Sequence, residues 1–256
     1  GKDTPWTSAT AATTLDKSGN GNIGTLTNMS RSTSPISGKI GQGLKFDGVD
    51  DYVNVGTTAG NQTTNNFTIS YWFKTANIGT NAVIFKRDAG ESGTWQGWGS
   101  YIIGGGTVRF EISDSSATRI PVVTTTTYND GKWHNAVGVF NRTGNLVVYV
   151  DGVSKASGSI SSQQGSVSNL NPLLIGNGFL NGYPSTTWFS GTLDDVRIYN
   201  RALSATEITQ LYNLGANSHT NVSPIRDLTS GLVGYWTFDG KDTPWTSATA
   251  ATTLDK

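Results

Sequence analysis

The same seventeen residues, GKDTPWTSATAATTLDK, stand at 1–17 and again at 240–256 without one difference. Identity over such a run, a whole domain's length apart, makes the chain one period of a tandem array plus the opening of the next. A solenoid repeat is far shorter, so the repeating unit expected here is a complete folded domain. The first residue is Gly1 and the sole methionine is Met29, so the chain is expected to begin inside a longer product.

Between the two copies, apolar residues recur with period two. In 66–75, Phe67, Ile69, Tyr71 and Phe73 fall on one face and Thr68, Ser70, Trp72 and Lys74 on the other, which predicts a strand. Further strands are expected at 23–26, 83–86, 101–103, 108–112, 133–140, 146–150, 173–175, 193–199 and 232–239. Segment 38–56 reads as a hairpin-like unit, with Leu44 and Phe46 before an Asp47-Gly48 turn and Val53 and Val55 after it. Asp151-Gly152 is the composition of a two-residue hairpin turn. One helix is expected at 203–212, where Ser204 followed by Glu207 forms a capping box. Residues 1–17, broken by Pro5 and scattered threonines, read as a loop, and 213–230 as a linker. Alternation rather than continuous apolar runs favours antiparallel sheets with one solvated face.

Charge is balanced at 18 basic against 18 acidic side chains, so no basic stripe argues for nucleic acid. With no cysteine, neither a disulfide framework nor a thiolate metal site can form. No apolar run is long enough for a membrane span. Sparse charge with abundant Thr, Ser, Asn and Gly points to an extracellular or cell-surface location.

The segments GLVGYWTFDG, DKSGNGNIGTL, GKIGQGLKFDGVDDYVNVG, FTISYWFKT, DGKWHNAVGVFNRTGNLVVYVDG and GTLDDVRIYNRALSATEITQLY cover nearly the whole chain. Together they resemble the laminin-G-like, concanavalin-A-like jelly rolls of bacterial surface proteins. The resemblance implies an all-β fold: an antiparallel two-sheet jelly-roll sandwich with one short helix near the C-terminal end. It also exposes a shift in order, because the LVGYWTFD-type strand comes first in that family and last here. Residues 1–213 are then a domain lacking its own first strand, 214–230 a linker, and 231–256 the first strand and opening loop of the next repeat. Two outcomes stay open. The strand folds back into its own body, or it completes a neighbour by strand donation. Fold-back leaves 240–256 a redundant copy, which favours donation to an identical subunit and an open head-to-tail filament.

The fold also hosts glycoside hydrolases, whose usual chemistry needs two carboxyls across the scissile bond. Only Glu91, Glu111 and Glu207 are available; Glu207 is engaged in the cap and Glu91 sits in a glycine-rich loop. The Glu-x-Asp-x-Glu strand motif of the family's hydrolases is absent, and His134 and His219 lie in unrelated contexts. The chain is therefore expected not to be an enzyme. The resemblance further implies a structural calcium ion held by Asp16, Asn20, Asn22, Asp194 and Asp239, oxygen ligands of the kind this cation uses. Asp194 is expected to share a strand face with Val196 and Ile198 and so to point inward, where a carboxylate needs a partner or a metal. The plainer reading is that Asp194 accepts backbone hydrogen bonds and SGNGN is a simple turn. Asp47, Asp50 and Asp51 form a second acidic cluster, read as a solvated turn.

Trp95, Trp98 and Tyr101 surround one loop and Tyr183 and Trp188 flank another, an arrangement suited to stacking on sugars, whereas Trp133 and Trp236 read as core. The resulting expectation is a non-catalytic repeat unit of a large extracellular structural or adhesive protein, polymerising by strand donation. Its partners would be identical neighbouring subunits and cell-surface or matrix glycans. The alternative is a carbohydrate-binding, lectin-like module, including one appended to a hydrolase.

Overall fold

The computed structural model describes residues 11–30, 32–88, 95–114, 118–178, 187–216 and 226–239. The chain begins with β1 (Ala11–Thr14), β2 (Gly24–Thr27), β3 (Pro35–Ser37), β4 (Gln42–Asp47) and β5 (Tyr52–Asn54). Next come β6 (Phe67–Lys74), β7 (Asn81–Arg87), β8 (Gly97–Ile103), β9 (Thr107–Ser113) and β10 (Ile120–Thr127). The remainder is β11 (Trp133–Phe140), β12 (Asn145–Val150), β13 (Val153–Ser159), β14 (Leu174–Ile175), β15 (Ser190–Tyr199), α1 (Ala205–Ala216), a 3-10 turn (Arg226–Thr229) and β16 (Leu232–Trp236).

These strands form two antiparallel sheets. The first runs β1-β2-β5-β14-β7-β8-β9-β10, the second β13-β12-β11-β6-β15-β4-β3, with β16 also paired to β15. Their inner faces meet in one apolar core, in which Phe67 stacks on Phe140 with ring centroids 4.1 Å apart. This is the jelly-roll sandwich that the alternation and the resemblance imply. The Asp151-Gly152 turn joins β12 to β13 with φ of 53° and 76°, the doubly positive backbone of a tight hairpin turn.

Four local expectations change. First, β4 and β5 are not a hairpin: β4 joins β3 and β15 in the second sheet, while β5 joins β2 and β14 in the first. Leu44, Phe46, Val53 and Val55 all enter the core, as their alternation says, but from opposite sides. The 47–51 turn between them is a crossover held by Asp51 Oδ2, which accepts the Asp47 N–H at 3.0 Å. Second, the 1–17 stretch contains a strand, since Ala11–Thr14 pairs with β2. Third, α1 runs to Ala216, four residues into the expected linker.

Fourth, β6 is buried on both faces. Beyond the core-facing aromatics, Thr68, Ser70 and Trp72 are also covered. The cover is α1 and the strand ends beside it: Trp72 stacks on Tyr212 at 5.7 Å, and Ile208 and Leu211 join Val137, Val139, Tyr199 and Leu203 in a second apolar cluster. Gly215 makes the fit possible, because a Cβ there would stand 2.4 Å from the Trp72 ring. The helix starts where expected: Ser204 Oγ accepts the Glu207 N–H at 3.3 Å, and Glu207 Oε2 accepts the Ser204 N–H at 2.8 Å.

Candidate functional site: the β16 junction and the outer face of the first sheet

The five residues expected to hold calcium fall into two sets. Asp16 is a clamp on β16. Its Oδ1 accepts the Ser18 and Tyr235 N–H groups at 2.8 and 2.9 Å, and its Oδ2 accepts two bonds from Asn22 at 3.0 Å. Asn22 and Asn20 donate through Nδ2 to the carbonyls of Val233 (2.9 Å) and Leu232 (3.2 Å). The Trp236 indole N–H in turn reaches the Asn22 carbonyl at 2.8 Å. The SGNGN turn thus hydrogen-bonds a strand more than two hundred positions away, and Asp16 has all its acceptor capacity in use.

Asp194 and Asp239 form the other set, at the 38–42 loop. A bulge in β15 breaks the expected alternation. Leu193 and Val196 both face the core, Asp195 takes φ 53°, and Asp194 pairs directly with Trp72, on the helix side. Asp194 is nonetheless fully buried. Its Oδ2 accepts the N–H groups of Lys39 and Ile40 at 2.7 and 2.8 Å, while its Oδ1 has no hydrogen-bond partner. Burial first, then the negative charges of Asp195 and Asp239, push its pKa up to about 8 against the pull of the two backbone bonds. Asp239 Oδ1 accepts the Gln42 N–H at 2.6 Å. Gly38 and Gly41 let the loop close over both carboxyls, since a Cβ at either would lie 2.6 Å from Asp194 Oδ2 or 1.9 Å from Asp239 Oδ1.

An orphaned buried oxygen beside a second carboxylate fits a hard cation, so Asp194 and Asp239 suit calcium. Asp16, committed to four donors, does not. Among the described residues, the carboxylates that come together as a group of three are Asp47, Asp50 and Asp51 in the crossover turn.

The aromatic expectation also needs correction. Trp98 is buried on the core side of β8, its indole N–H donating to the Gly60 carbonyl at 3.0 Å, and it offers no face to a ligand. Tyr101 lies on the opposite side of the same strand and is only 7% exposed, packed edge-on against Phe85 at 4.4 Å. Trp98 is in strand rather than loop, because pairing with β7 and β9 extends the strand expected from Tyr101 back to Gly97. Trp95 is half-buried just before that strand. Trp188 is half-buried against Tyr52 at 5.9 Å, and Tyr183 lies outside the described residues.

Around Tyr101 the outer face of the first sheet carries charges that the aromatic pattern did not flag. Glu111 is fully buried and shared by two cations, pairing with both Arg87 and Arg109. Arg87 Nη2 also donates to the Tyr101 hydroxyl at 2.9 Å, and the Arg109 guanidinium lies 5.4 Å from the Tyr101 ring centroid. Arg87 and Arg119 approach the Trp95 ring at 5.3 and 4.6 Å. Burial lowers the pKa of Arg87 and Arg109, and repulsion from Arg119 adds to that. The sequence held one signal for this site. In Val108–Ile112, Arg109 and Glu111 alternate with core residues and so belong to the outward face.

The other described glutamate, Glu207, is fixed by the helix cap and by Arg201 at 2.5 Å. His134 is bound between Asp151 (2.8 Å) and Asp130 (3.1 Å). Glu91 and His219 lie outside the described residues.

The two antiparallel sheets define a concanavalin A-like jelly roll. The chain belongs to the laminin-G-like family of the concanavalin A-like lectin/glucanases superfamily, whose sequence model matches residues 47–209. No curated protein matches it in sequence. In structure it is similar to the binding domain of Paraclostridial Mosquitocidal Protein 1, with TM-score 0.62 and 18% identity over 80% of this chain and 52% of that one. It is also similar to the ligand-binding domain of botulinum neurotoxin serotype D in complex with N-acetylneuraminic acid (TM-score 0.59, 17% identity, 78% of this chain, 47% of that one). A SAP-like pentraxin from Limulus polyphemus matches at TM-score 0.51 and 16% identity, over 76% of this chain and 88% of the pentraxin. The chain spans about half the length of the two toxin domains. At these identities the likeness is one of fold. Among the described residues no helix is long and apolar enough to cross a membrane, which says nothing of a β-barrel.

Proposed function

We propose that this chain is a non-catalytic, glycan-binding module of a large extracellular adhesive protein. The observation that carries this reading is the outer face of the first sheet, where guanidinium groups and aromatic rings are gathered around a glutamate that two arginines hold in place. Rings and planar hydrogen-bonding cations are what a sugar-binding surface uses. A carboxyl shared by two arginines is a poor proton donor, which weighs against hydrolysis at Glu111. One similar domain, that of botulinum neurotoxin serotype D, is known with N-acetylneuraminic acid bound. A glycan array probed with the whole chain tests the reading: retention of a defined glycan set is expected, and an array with no signal sinks it.

A second reading is a head-to-tail filament made by strand donation, although within one chain β16 folds back onto its own β15. The end of the first repeated copy, Asp16 and Lys17, hydrogen-bonds Tyr235 of β16 in its own chain, and the second copy begins at Gly240, shortly after β16 ends at Trp236. Any identical chain presents the same clamp to the same strand. Filaments or concentration-dependent oligomers that a synthetic 231–239 peptide dissolves are the expected result. A chain that sediments as a monomer at every concentration removes this reading. Calcium belongs to the same junction. A cation between Asp194 and Asp239 raises the melting temperature relative to a chelator, and identical melts in both exclude it.

A further inference from the structure

We infer that the outer face of the first sheet selects an anionic sugar, whose carboxylate or sulfate sits between Arg109 and Arg119 beside Trp95; this rests on the glycan-binding reading above. Holding Glu111 in place needs one arginine, yet two are spent on it and a third stands close by. Arg119 is exposed, among the described residues it forms no ion pair, and its guanidinium lies over the Trp95 ring. Arg109 gives one nitrogen to Glu111. Its side chain is 24% exposed, so a ligand can reach it.

The arginines therefore repel one another across a face that has already excluded much of its water, where charge interactions are least screened. An anion relieves that repulsion and supplies acceptors for the exposed part of the Arg109 guanidinium and for the Arg119 fork, whose planar geometry matches carboxylate and sulfate oxygens. A neutral sugar does neither. The balanced charge of the whole chain makes this a local preference and not a general attraction to polyanions.

The test is direct titration of the full chain with sialyllactose, a galacturonic acid oligomer, a heparin oligosaccharide and lactose, at low and at high salt. Binding of at least one acidic probe, weakened by salt, with lactose bound far less, is expected. Arg119→Ala should cost about tenfold in affinity for that probe, Arg119→Glu should abolish binding, and Arg119→Lys should restore part of it. Arg119 is exposed, so melts of these variants should match the parent and separate lost contact from lost fold. Sialyllactose and galacturonate ahead of heparin identify a carboxylate ligand, and the reverse order a sulfate. Lactose bound as well as the acidic probes, with Arg119→Glu silent, overturns the anionic preference and leaves glycan binding intact. Binding to none of the probes, together with a blank array, overturns both.

Discussion

The two sheets present opposite outer surfaces. Outside the second sheet, Trp72, Val137, Val139 and Tyr199 are sealed under α1 by Tyr212, Ile208 and Leu211, an apolar layer continuing the logic of the core. Outside the first sheet, Tyr101, Arg87 and Glu111 are equally withdrawn from water and Arg109 is partly so, but the layer is charged and held by ion pairs. Burial alone does not separate structural from functional surface; chemistry does. Apolar groups buried under a helix stabilise the fold without further explanation. Surplus guanidinium groups cost free energy on desolvation, which is the physical ground for the binding proposed at that face.

The largest expected effect breaks the helix-covered side. Trp72→Ala empties the space between Tyr212 and Gly215 and should destabilise the chain by about 3–5 kcal/mol, read as a large drop in denaturant midpoint. If stability stays within about 1 kcal/mol of the parent, the helix is not a structural cover. On the other face, Glu111→Gln leaves the buried Arg87 and the half-buried Arg109 without their shared counter-charge and should cost about 3 kcal/mol. Part of that loss should return on adding sulfate, a response Trp72→Ala should lack; equal responses would erase the distinction between the faces.

A smaller effect comes from Ser204→Ala, which removes the reciprocal cap of α1 and should cost about 1 kcal/mol in chemical denaturation. Smaller still is the His134 contribution at the rim, near the Tyr128 ring that follows β10. Burial pulls the His134 pKa down, but hydrogen bonds and charge from Asp151 and Asp130 outweigh it and raise it above the ordinary 6.5. The protonated ring therefore favours the folded state. That stabilisation is complete below pH 6.5 and fades as pH climbs through the higher folded-state pKa. Across melts at about pH 5.5 and about pH 8.5, the part of the difference that His134→Gln removes should be less than about 1 kcal/mol. The larger part belongs to Asp194, whose raised pKa also makes stability fall as pH climbs over that window. A His134→Gln chain keeping the full pH response assigns all of it to other groups.

Much of the architecture is legible in the amino acids themselves. Period-two alternation places Phe67, Ile69, Tyr71 and Phe73 in the core, Ser204 and Glu207 start the helix, and Asp151-Gly152 makes its hairpin turn. Each of these depends on interactions within a few residues, so local sequence is enough. The same holds for the choice of core faces: Leu44, Phe46, Val53 and Val55 are inward in the sequence pattern and inward in the fold.

Which strands pair, and what covers each face, is decided elsewhere. Nothing local tells that β4 and β5 part into different sheets across the 47–51 turn, because their partners lie on β15 and β14. Trp98 looks like a loop aromatic until pairing with β7 and β9 carries it into a strand and turns it into the core. The Asp16 clamp on Tyr235 and the Arg87–Glu111–Arg109 set each join residues brought together by sheet order alone. The amino-acid sequence by itself determined the strand faces, the cap, the turns and the family. Only the tertiary structure decided the pairings and gathered the charges, because hydrogen-bond partners in a sheet and counter-ions on its face are contacts at long sequence separation that no local pattern encodes.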